Sequence, residues 1–157
     1  MKLHVIFTGR TTGTLFQQAI ADYQQRLGHY VPFSLEEIPD LKNVKNLSEE
    51  QQKEREADML FERLLPGDFL VLLDEKGREF TSREFSQYLE QKQQSVGKRL
   101  VFLIGGPYGF SQRVYDAAQG KISLSKMTFS HQMVRLFLIE QVYRAYTIMR
   151  GEPYHHD

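Results

Sequence analysis

Two uninterrupted apolar runs constrain the fold of this chain most strongly. Val, Leu, Ile and Phe fill positions 69–73 and 100–104, and neither run alternates between polar and apolar residues. Strands that are covered on both faces have this pattern, and such strands are typical of parallel sheets. A similar run occupies positions 3–7, and a weaker one lies at 31–38. These runs predict the strands of a mostly parallel sheet.

Helical patterns separate the predicted strands. Between positions 16 and 27 the apolar residues keep a spacing of three to four, which gives a helix one apolar face. Ser48 with Gln51, and Thr81 with Glu84, have the spacing of capping boxes that start two further helices. This alternation predicts an α/β fold in which helices flank a mostly parallel sheet. A length of 157 residues suits one domain, which we assign to positions 1–157.

The last predicted helix, at about 131–150, is apolar around most of its circumference. A helix of that kind must be covered on nearly all sides. One face of a sheet in a small domain cannot supply that cover, so the pattern predicts a symmetric homodimer. The alternative is a central helix that is buried within one subunit.

The composition excludes several classes of site. The chain has no Cys, which excludes disulfides, thiolate zinc sites and cysteine nucleophiles. The adjacent His155 and His156 point apart in regular structure and have no evident third partner, so we expect no metal site. Twenty basic and twenty acidic residues balance, which disfavours a simple nucleic-acid-binding module but allows an enzyme that meets RNA through a local patch. No apolar run is long enough for a membrane span or a signal peptide, so we expect a soluble cytoplasmic protein with no membrane partner.

Three loops follow predicted strands and are the places where a ligand is expected, because open parallel sheets bind ligands beyond the carboxyl ends of their strands. They lie at 73–77, 105–109 and 123–128. The glycines at 105–109 allow backbone to approach a ligand closely, although a simple turn has the same composition. Their spacing fits neither a Walker loop nor a dinucleotide fingerprint, which disfavours phosphate binding. The loop at 123–128 has the composition to wrap a flat ring or, alternatively, to cap the last helix.

Seven motifs in sequence order carry a family resemblance. They are 72–77 (LLDEKG), 102–109 (FLIGGPYG), 122–128 (ISLSKMT), His131, Arg135, 140–145 (EQVYRA) and 151–155 (GEPYH). Over essentially its whole length the chain resembles the RlmH (YbeA-like) family of the SPOUT superfamily. Members of that family are bacterial methyltransferases that act on pseudouridine in large-subunit ribosomal RNA.

The resemblance implies a SPOUT-type fold with a C-terminal trefoil knot, a homodimer, and S-adenosylmethionine held by three knot loops. The family's cofactor-binding positions fall here on Leu73, Gly105, Leu124, Ser125, Lys126, Met127, Thr128 and Phe129. The implied reaction is methylation of N3 of a pseudouridine in 23S ribosomal RNA, on the assembled ribosome. His156 stands where family members commonly carry Arg or Lys.

The acceptor nitrogen must lose a proton, and three residues are candidates for removing it. They are His131, Tyr154 and His155, of which the last two belong to a tail that we expect to close over the target base. Arg135 or Arg144 is a candidate for stabilising charge on the uracil carbonyls. His131 alternatively serves only to start the last helix.

Two other classes of function remain open from the residues alone. One is a non-catalytic dimeric module that binds an adenine nucleotide as a signal. The other is a hydrolase or reductase on a flavodoxin-like sheet, with the glycine loop holding phosphate or flavin.

Overall fold

The computed structural model describes residues 1–156 and contains a five-stranded parallel sheet. The strands are β1 (Lys2–Thr8), β2 (Phe33–Ile38), β3 (Phe69–Glu79), β4 (Arg99–Ile104) and β5 (Gly120–Ser123). Their order across the sheet is β2-β1-β4-β3-β5, and every neighbouring pair is parallel. The predicted α/β class and parallel sheet are therefore confirmed.

Five helices flank the sheet. They are α1 (Thr14–Leu27), α2 (Glu49–Phe61), α3 (Ser82–Ser95), α4 (Gln112–Ala117) and α5 (Met133–Met149), and short 3₁₀ turns occupy Val44–Asn46 and Pro153–His155. Both predicted capping boxes form, since Ser48 Oγ accepts from the amide of Gln51 and Thr81 Oγ1 accepts from the amide of Glu84, each at 3.1 Å. None of the helices within residues 1–156 is long and apolar enough to cross a membrane.

The helices cover both faces of the sheet, which explains why the strands do not alternate. Val5 and Phe102 face a core built with α1, α3 and α5. Ile6, Leu72 and Leu103 face a second core built with α2 and α4. Consecutive residues of a strand point to opposite faces, so each central strand needs apolar residues at nearly every position.

The last helix is covered largely within one chain. Leu138, Ile139 and Val142 are completely buried, and only Met133 among the α5 residues is exposed. Helices α1 and α3 and the C-terminal 3₁₀ turn provide the contacts. The cover that the sequence assigned to a second subunit thus comes mainly from this subunit. The homodimer stays a prediction that depends on the resemblance, as does the trefoil knot.

The third strand departs from the sequence prediction. The apolar run at 69–73 was expected to end in a loop, but β3 continues to Glu79. Leu73 and Arg78 both pair with Ile122 of β5, so residues 74–77 form a bulge between two paired stretches. Bulges of this kind bend a strand and redirect its side chains. The expected loop is therefore a bulge inside a longer strand.

Candidate functional site

A cavity of about 510 Å³ opens beside the bulge of β3 and the carboxyl ends of β4 and β5, three strands that are neighbours in the sheet. Its volume is within the range of about 300–1,000 Å³ that is usual for small-molecule sites. Three segments supply most of its lining, namely 73–76, 104–110 and 122–129 without Lys126. The structure therefore gathers the three segments that the sequence predicted separately.

Seven of the eight positions that the resemblance assigns to the cofactor line this cavity. They are Leu73, Gly105, Leu124, Ser125, Met127, Thr128 and Phe129. Lys126 is the exception, since it is exposed and does not line the cavity. Leu73 reaches the cavity from the start of the β3 bulge.

The β3 bulge packs directly on β5. A Cβ atom on Gly77 would lie 2.4 Å from the carbonyl carbon of Ile122, whereas the two backbones touch without clash when the residue is glycine. Beside it, the Asp74 carboxylate accepts hydrogen bonds from the amide of Lys76 at 2.8 Å and from the Tyr115 hydroxyl. Burial, together with the bond to Asp74, raises the pKa of Tyr115 to about 12. Tyr115 is therefore a protonated donor that fixes this wall of the cavity.

The glycine loop after β4 is both a turn and a wall of the cavity. The amide of Gly109, whose φ is +81°, donates to the carbonyl of Gly106 at 3.1 Å. Only glycine adopts that φ without strain. A Cβ atom on Gly105 would lie 2.8 Å from the ring of Phe110, so the backbone there has no room for a side chain. Tyr108 projects from the loop and is 46% exposed.

The loop after β5 is shaped by its own hydroxyl groups. Ser123 Oγ donates to the carbonyl of Ser125 at 2.9 Å, and Ser125 Oγ accepts from the amide of Met127 at 3.0 Å. At the start of α5, the amide of Met133 donates to Ser130 Oγ at 3.1 Å, and not to a side chain of the loop at 123–128. Among the two sequence interpretations of this loop, the structure thus supports a cavity wall rather than a helix cap.

His131 and Arg135, one helical turn apart, have different environments. His131 lines the cavity and is half-buried, and burial followed by the charge of Arg135 lowers its pKa. A neutral imidazole is favoured there, and a neutral imidazole can accept a proton. Arg135 is completely buried outside the cavity lining, and its guanidinium donates to the carbonyls of Thr8 and Gly9, both at 3.0 Å. In this chain Arg135 holds backbone and does not reach the cavity.

The two tail residues predicted to be catalytic do not line the cavity and pack against α5. Tyr154 donates to Glu140 Oε1 at 3.0 Å, and Arg144 lies 3.1 Å from Nδ1 of His155. The Arg144 guanidinium also stacks over the ring of Tyr154, 4.8 Å from its centroid. Burial and then bonds to Tyr23 and Glu140 raise the pKa of Tyr154, so the geometry of this chain gives no support to Tyr154 as a proton acceptor. Asp157, the last tail residue, lies outside the described residues.

Sequence reasoning missed the clamp between Tyr115 and Asp74. Asp74 was part of a recognised motif, but Tyr115 lies 41 positions away on the short helix α4. No local pattern marks such a pair, because only the packing of α4 beside β3 brings the two groups together. Within residues 1–156, no three His, Asp or Glu side chains are grouped so as to hold a metal ion.

Comparison with known proteins gives a consistent result. The family described as "Predicted SPOUT methyltransferase" matches residues 1–155. A protein of Parabacteroides distasonis named Ribosomal RNA large subunit methyltransferase H is 63% identical over 157 residues, which is 100% of both chains. Proteins with the same name from Phocaeicola vulgatus and Flavobacterium johnsoniae are each 57% identical, over 100% and 99% of both chains respectively.

Proposed function

This chain belongs to the SPOUT methyltransferase family and is a ribosomal RNA methyltransferase, and we propose that it methylates N3 of a pseudouridine in large-subunit ribosomal RNA with S-adenosylmethionine as the donor. The observation that carries the proposal is the cavity at the β3 bulge and the ends of β4 and β5. The similar proteins named Ribosomal RNA large subunit methyltransferase H supply the substrate class. They do not favour the adenine-nucleotide sensor or the flavodoxin-like enzyme.

The lining of the cavity suits an adenosyl group. Leu73, Leu124 and Phe129 offer apolar surface for a flat ring, and Gly105 exposes backbone that can hydrogen-bond its edge. Within the described residues Lys76 is the only Lys or Arg side chain in the lining, and the acidic Asp74 and Glu75 lie beside it, which does not favour a phosphate chain. A sulfonium donor supplies an activated methyl group, and the protein therefore has to align the acceptor and remove its proton.

His131 is the residue of this subunit that we propose as the proton acceptor. Of the five candidates that the sequence offers for the chemistry (His131, Arg135, Arg144, Tyr154 and His155), it is the only one that lines the cavity in the described chain. Its lowered pKa keeps the imidazole neutral at pH 7, so that it accepts the proton from N3 as the methyl group transfers.

The tail contributes, in this proposal, to the cavity of a second subunit. Tyr154 and His155 do not reach the cavity of their own chain, and Arg144 and Glu140 hold them in a defined position. A symmetric homodimer would bring the tail of one subunit over the cavity of the other. Tyr154 then serves to stack on the target base, and its hydroxyl remains protonated.

The assembled ribosome is the substrate that best suits the neutral charge of the protein. A formal charge of zero gives little long-range attraction to bare RNA. A folded ribosomal particle offers shape and a larger contact surface. We therefore expect large ribosomal subunits, in preference to naked RNA, to be methylated.

Two measurements test the proposed function. Calorimetry with S-adenosylmethionine, S-adenosylhomocysteine, ATP, NAD and FMN should show binding of the first two ligands in preference to the others. Mass spectrometry of ribosomal RNA from cells with and without the gene should show one methylated pseudouridine that depends on it. Preference for a nucleotide or flavin, or unchanged RNA, would reject the proposal.

Removal of the tail tests its separate role. A chain shortened by residues 153–157 should bind S-adenosylmethionine normally but transfer no methyl group, because the cavity of each subunit is built by residues before the tail. His155→Ala in the full chain is the milder companion variant. Full turnover by the shortened chain would eliminate the tail from the mechanism.

A further inference from the structure

The turn after β1, residues 9–12, is held by hydrogen bonds from several distant parts of the chain. It lies at the same edge of the sheet as the cavity, because β1 runs parallel to β4. Gln132 connects the turn with the cavity wall. Its side chain accepts a hydrogen bond from the amide of Thr12 at 2.8 Å and donates one to the carbonyl of Arg10 at 3.2 Å. The preceding residue, His131, lines the cavity.

All the backbone amides of this turn have partners within the described chain. The acceptors are the carbonyl of Ile38 for Gly9, Asp40 Oδ1 for Arg10, the Glu37 carboxylate for Thr11, and Gln132 Oε1 for Thr12. Two of these acceptors are carboxylates from the segment that ends β2. Carboxylates accept stronger hydrogen bonds than neutral groups do, so the turn is firmly attached to β2.

The carbonyls of residues 8–11 have partners as well. Those of Thr8 and Gly9 accept from Arg135, that of Arg10 from Gln132, and that of Thr11 from the Gln17 side chain at 2.9 Å. Arg135 is completely buried and also donates to Thr11 Oγ1 at 3.0 Å. Burying a guanidinium costs free energy, because the group loses its hydration, unless hydrogen bonds and an opposite charge compensate. Here its bonds go to Thr8 at the end of β1 and to Gly9 and Thr11 of the turn, and its guanidinium also forms an ion pair with Glu37 at 3.7 Å.

Because all the amides of the turn are already bonded, it can donate to an anionic partner only through its outward side chains. Two of those side chains, Arg10 and Thr12, are exposed. Within residues 1–156 no acidic side chain forms an ion pair with the Arg10 guanidinium, and the neighbouring Asp40 carboxylate accepts from the amide of that residue instead. The turn thus presents an unpaired guanidinium and a hydroxyl from a rigid support beside the cavity.

We propose that the turn at residues 9–12 binds the phosphate backbone of the RNA substrate, with the Arg10 guanidinium as its phosphate-binding group. Arg and Thr side chains are typical donors to nucleic-acid phosphates. A rigid support matters, because phosphate contacts fix the register of the RNA and so place the target base at the cavity. Arg135 is then a positioning residue that acts through the turn. The inference rests on the proposed function, since it names part of the surface that meets the RNA.

The test compares the two ends of β1. Arg10→Glu and Arg10→Ala remove the proposed contact. Lys2→Glu is the control, because Lys2 is also exposed but lies at the opposite end of β1. The two ends of this strand are about 20 Å apart at the usual rise per residue. Large ribosomal subunits from cells that lack the gene are the probe. Their binding is measured directly over a series of salt concentrations, and S-adenosylmethionine affinity and thermal stability are measured in parallel.

Arg10→Ala should weaken binding of the ribosomal subunits about 10- to 100-fold. It should also reduce the slope of log affinity against log salt by about one. Arg10→Glu should weaken binding further, while Lys2→Glu should behave like the unchanged protein and Arg10→Lys should recover part of the loss. S-adenosylmethionine affinity should be the same in all four variants, because none of the substituted residues lines the cavity.

Equal ribosome binding by the Arg10 and Lys2 variants would overturn the inference. So would a change of oligomeric state in the Arg10 variants, because it would make the turn a contact between copies of the chain. That alternative is tested because Leu15, three positions after Thr12, is 77% exposed. Failure of the proposed function gives a different result, in which the unchanged protein itself neither binds S-adenosylmethionine nor methylates the subunits.

Discussion

Gly77→Ala is the substitution that tests most sharply how the cavity is built. The added Cβ atom would lie 2.4, 2.6 and 2.7 Å from the carbonyl carbon, the nitrogen and the Cα of Ile122. All three atoms are backbone, so no side chain can turn away to relieve the clash. Ordinary contact needs about 3.4 Å or more, and the β3 bulge and β5 must therefore separate by about 1 Å.

This separation should affect both stability and cofactor binding. Overpacking of a well-packed site costs about 1–3 kcal/mol. At about 2–4 °C per kcal/mol for a domain of this size, the melting temperature should fall by about 2–12 °C. The walls at 73–76 and 122–129 both belong to the displaced region. A displacement of about 1 Å should therefore weaken binding of S-adenosylmethionine by about 10- to 100-fold.

Gly97→Ala is the matched control for this experiment. Gly97 has no positive φ, and a Cβ atom there would meet no heavy atom within 4 Å. Calorimetric titration with S-adenosylmethionine and a thermal melt should leave the Gly97→Ala variant close to the unchanged protein. If Gly77→Ala shows the same cofactor affinity and melting temperature as Gly97→Ala, the bulge does not shape the cavity and the reasoning is refuted.

Three further substitutions have distinct expected outcomes. Tyr115→Phe removes the donor to Asp74 and should lower the free energy of unfolding by about 1.5–3 kcal/mol in urea denaturation, with weaker S-adenosylmethionine binding. Arg135→Met should lower the free energy of unfolding by about 1–3 kcal/mol or more, because it leaves turn carbonyls without a donor, and should leave S-adenosylmethionine affinity nearly unchanged. For His131, whose pKa is lowered by folding, the unfolded chain binds the proton more readily, so its contribution to stability is present above the unfolded pKa of about 6.5 and is lost as the pH falls from there through the lower pKa of the folded state. Urea denaturation measures the free energy of unfolding at pH values between about 7.5 and 5, which bracket that pKa. Over this range the free energy of unfolding should fall less in His131→Gln than in the unchanged protein. Equal falls would contradict the environment assigned to His131.

The layout of the strands could be predicted from the sequence because its signals are local. The runs at 69–73 and 100–104 specify strands buried on two faces, and the two capping boxes specify where α2 and α3 begin. The carboxyl ends of parallel strands share one edge of the sheet, so each of the three loops predicted there was a place where a ligand was expected. In the structure one cavity lies at that edge, and all three segments line it.

The remaining features depend on contacts between distant parts of the chain. Arg135 donates hydrogen bonds to residues 124–127 positions earlier in the sequence, and no local pattern indicated that its guanidinium holds Thr8, Gly9 and Thr11. The apolar circumference of α5 indicated that the helix is covered on all sides, but it did not indicate whether α1 and α3 or a second chain provides the cover. The extension of β3 to Glu79 was hidden because the bulge residues 74–77 are polar.

A crystal structure of the protein with S-adenosylhomocysteine tests the central claim most directly. The adenosyl group should lie in the cavity at the β3 bulge and the ends of β4 and β5, in contact with Leu73, Gly105 and Leu124. The tail of the second subunit should lie across the opening of that cavity. A product molecule bound elsewhere on the chain, with side chains filling the cavity in every copy, would contradict the account.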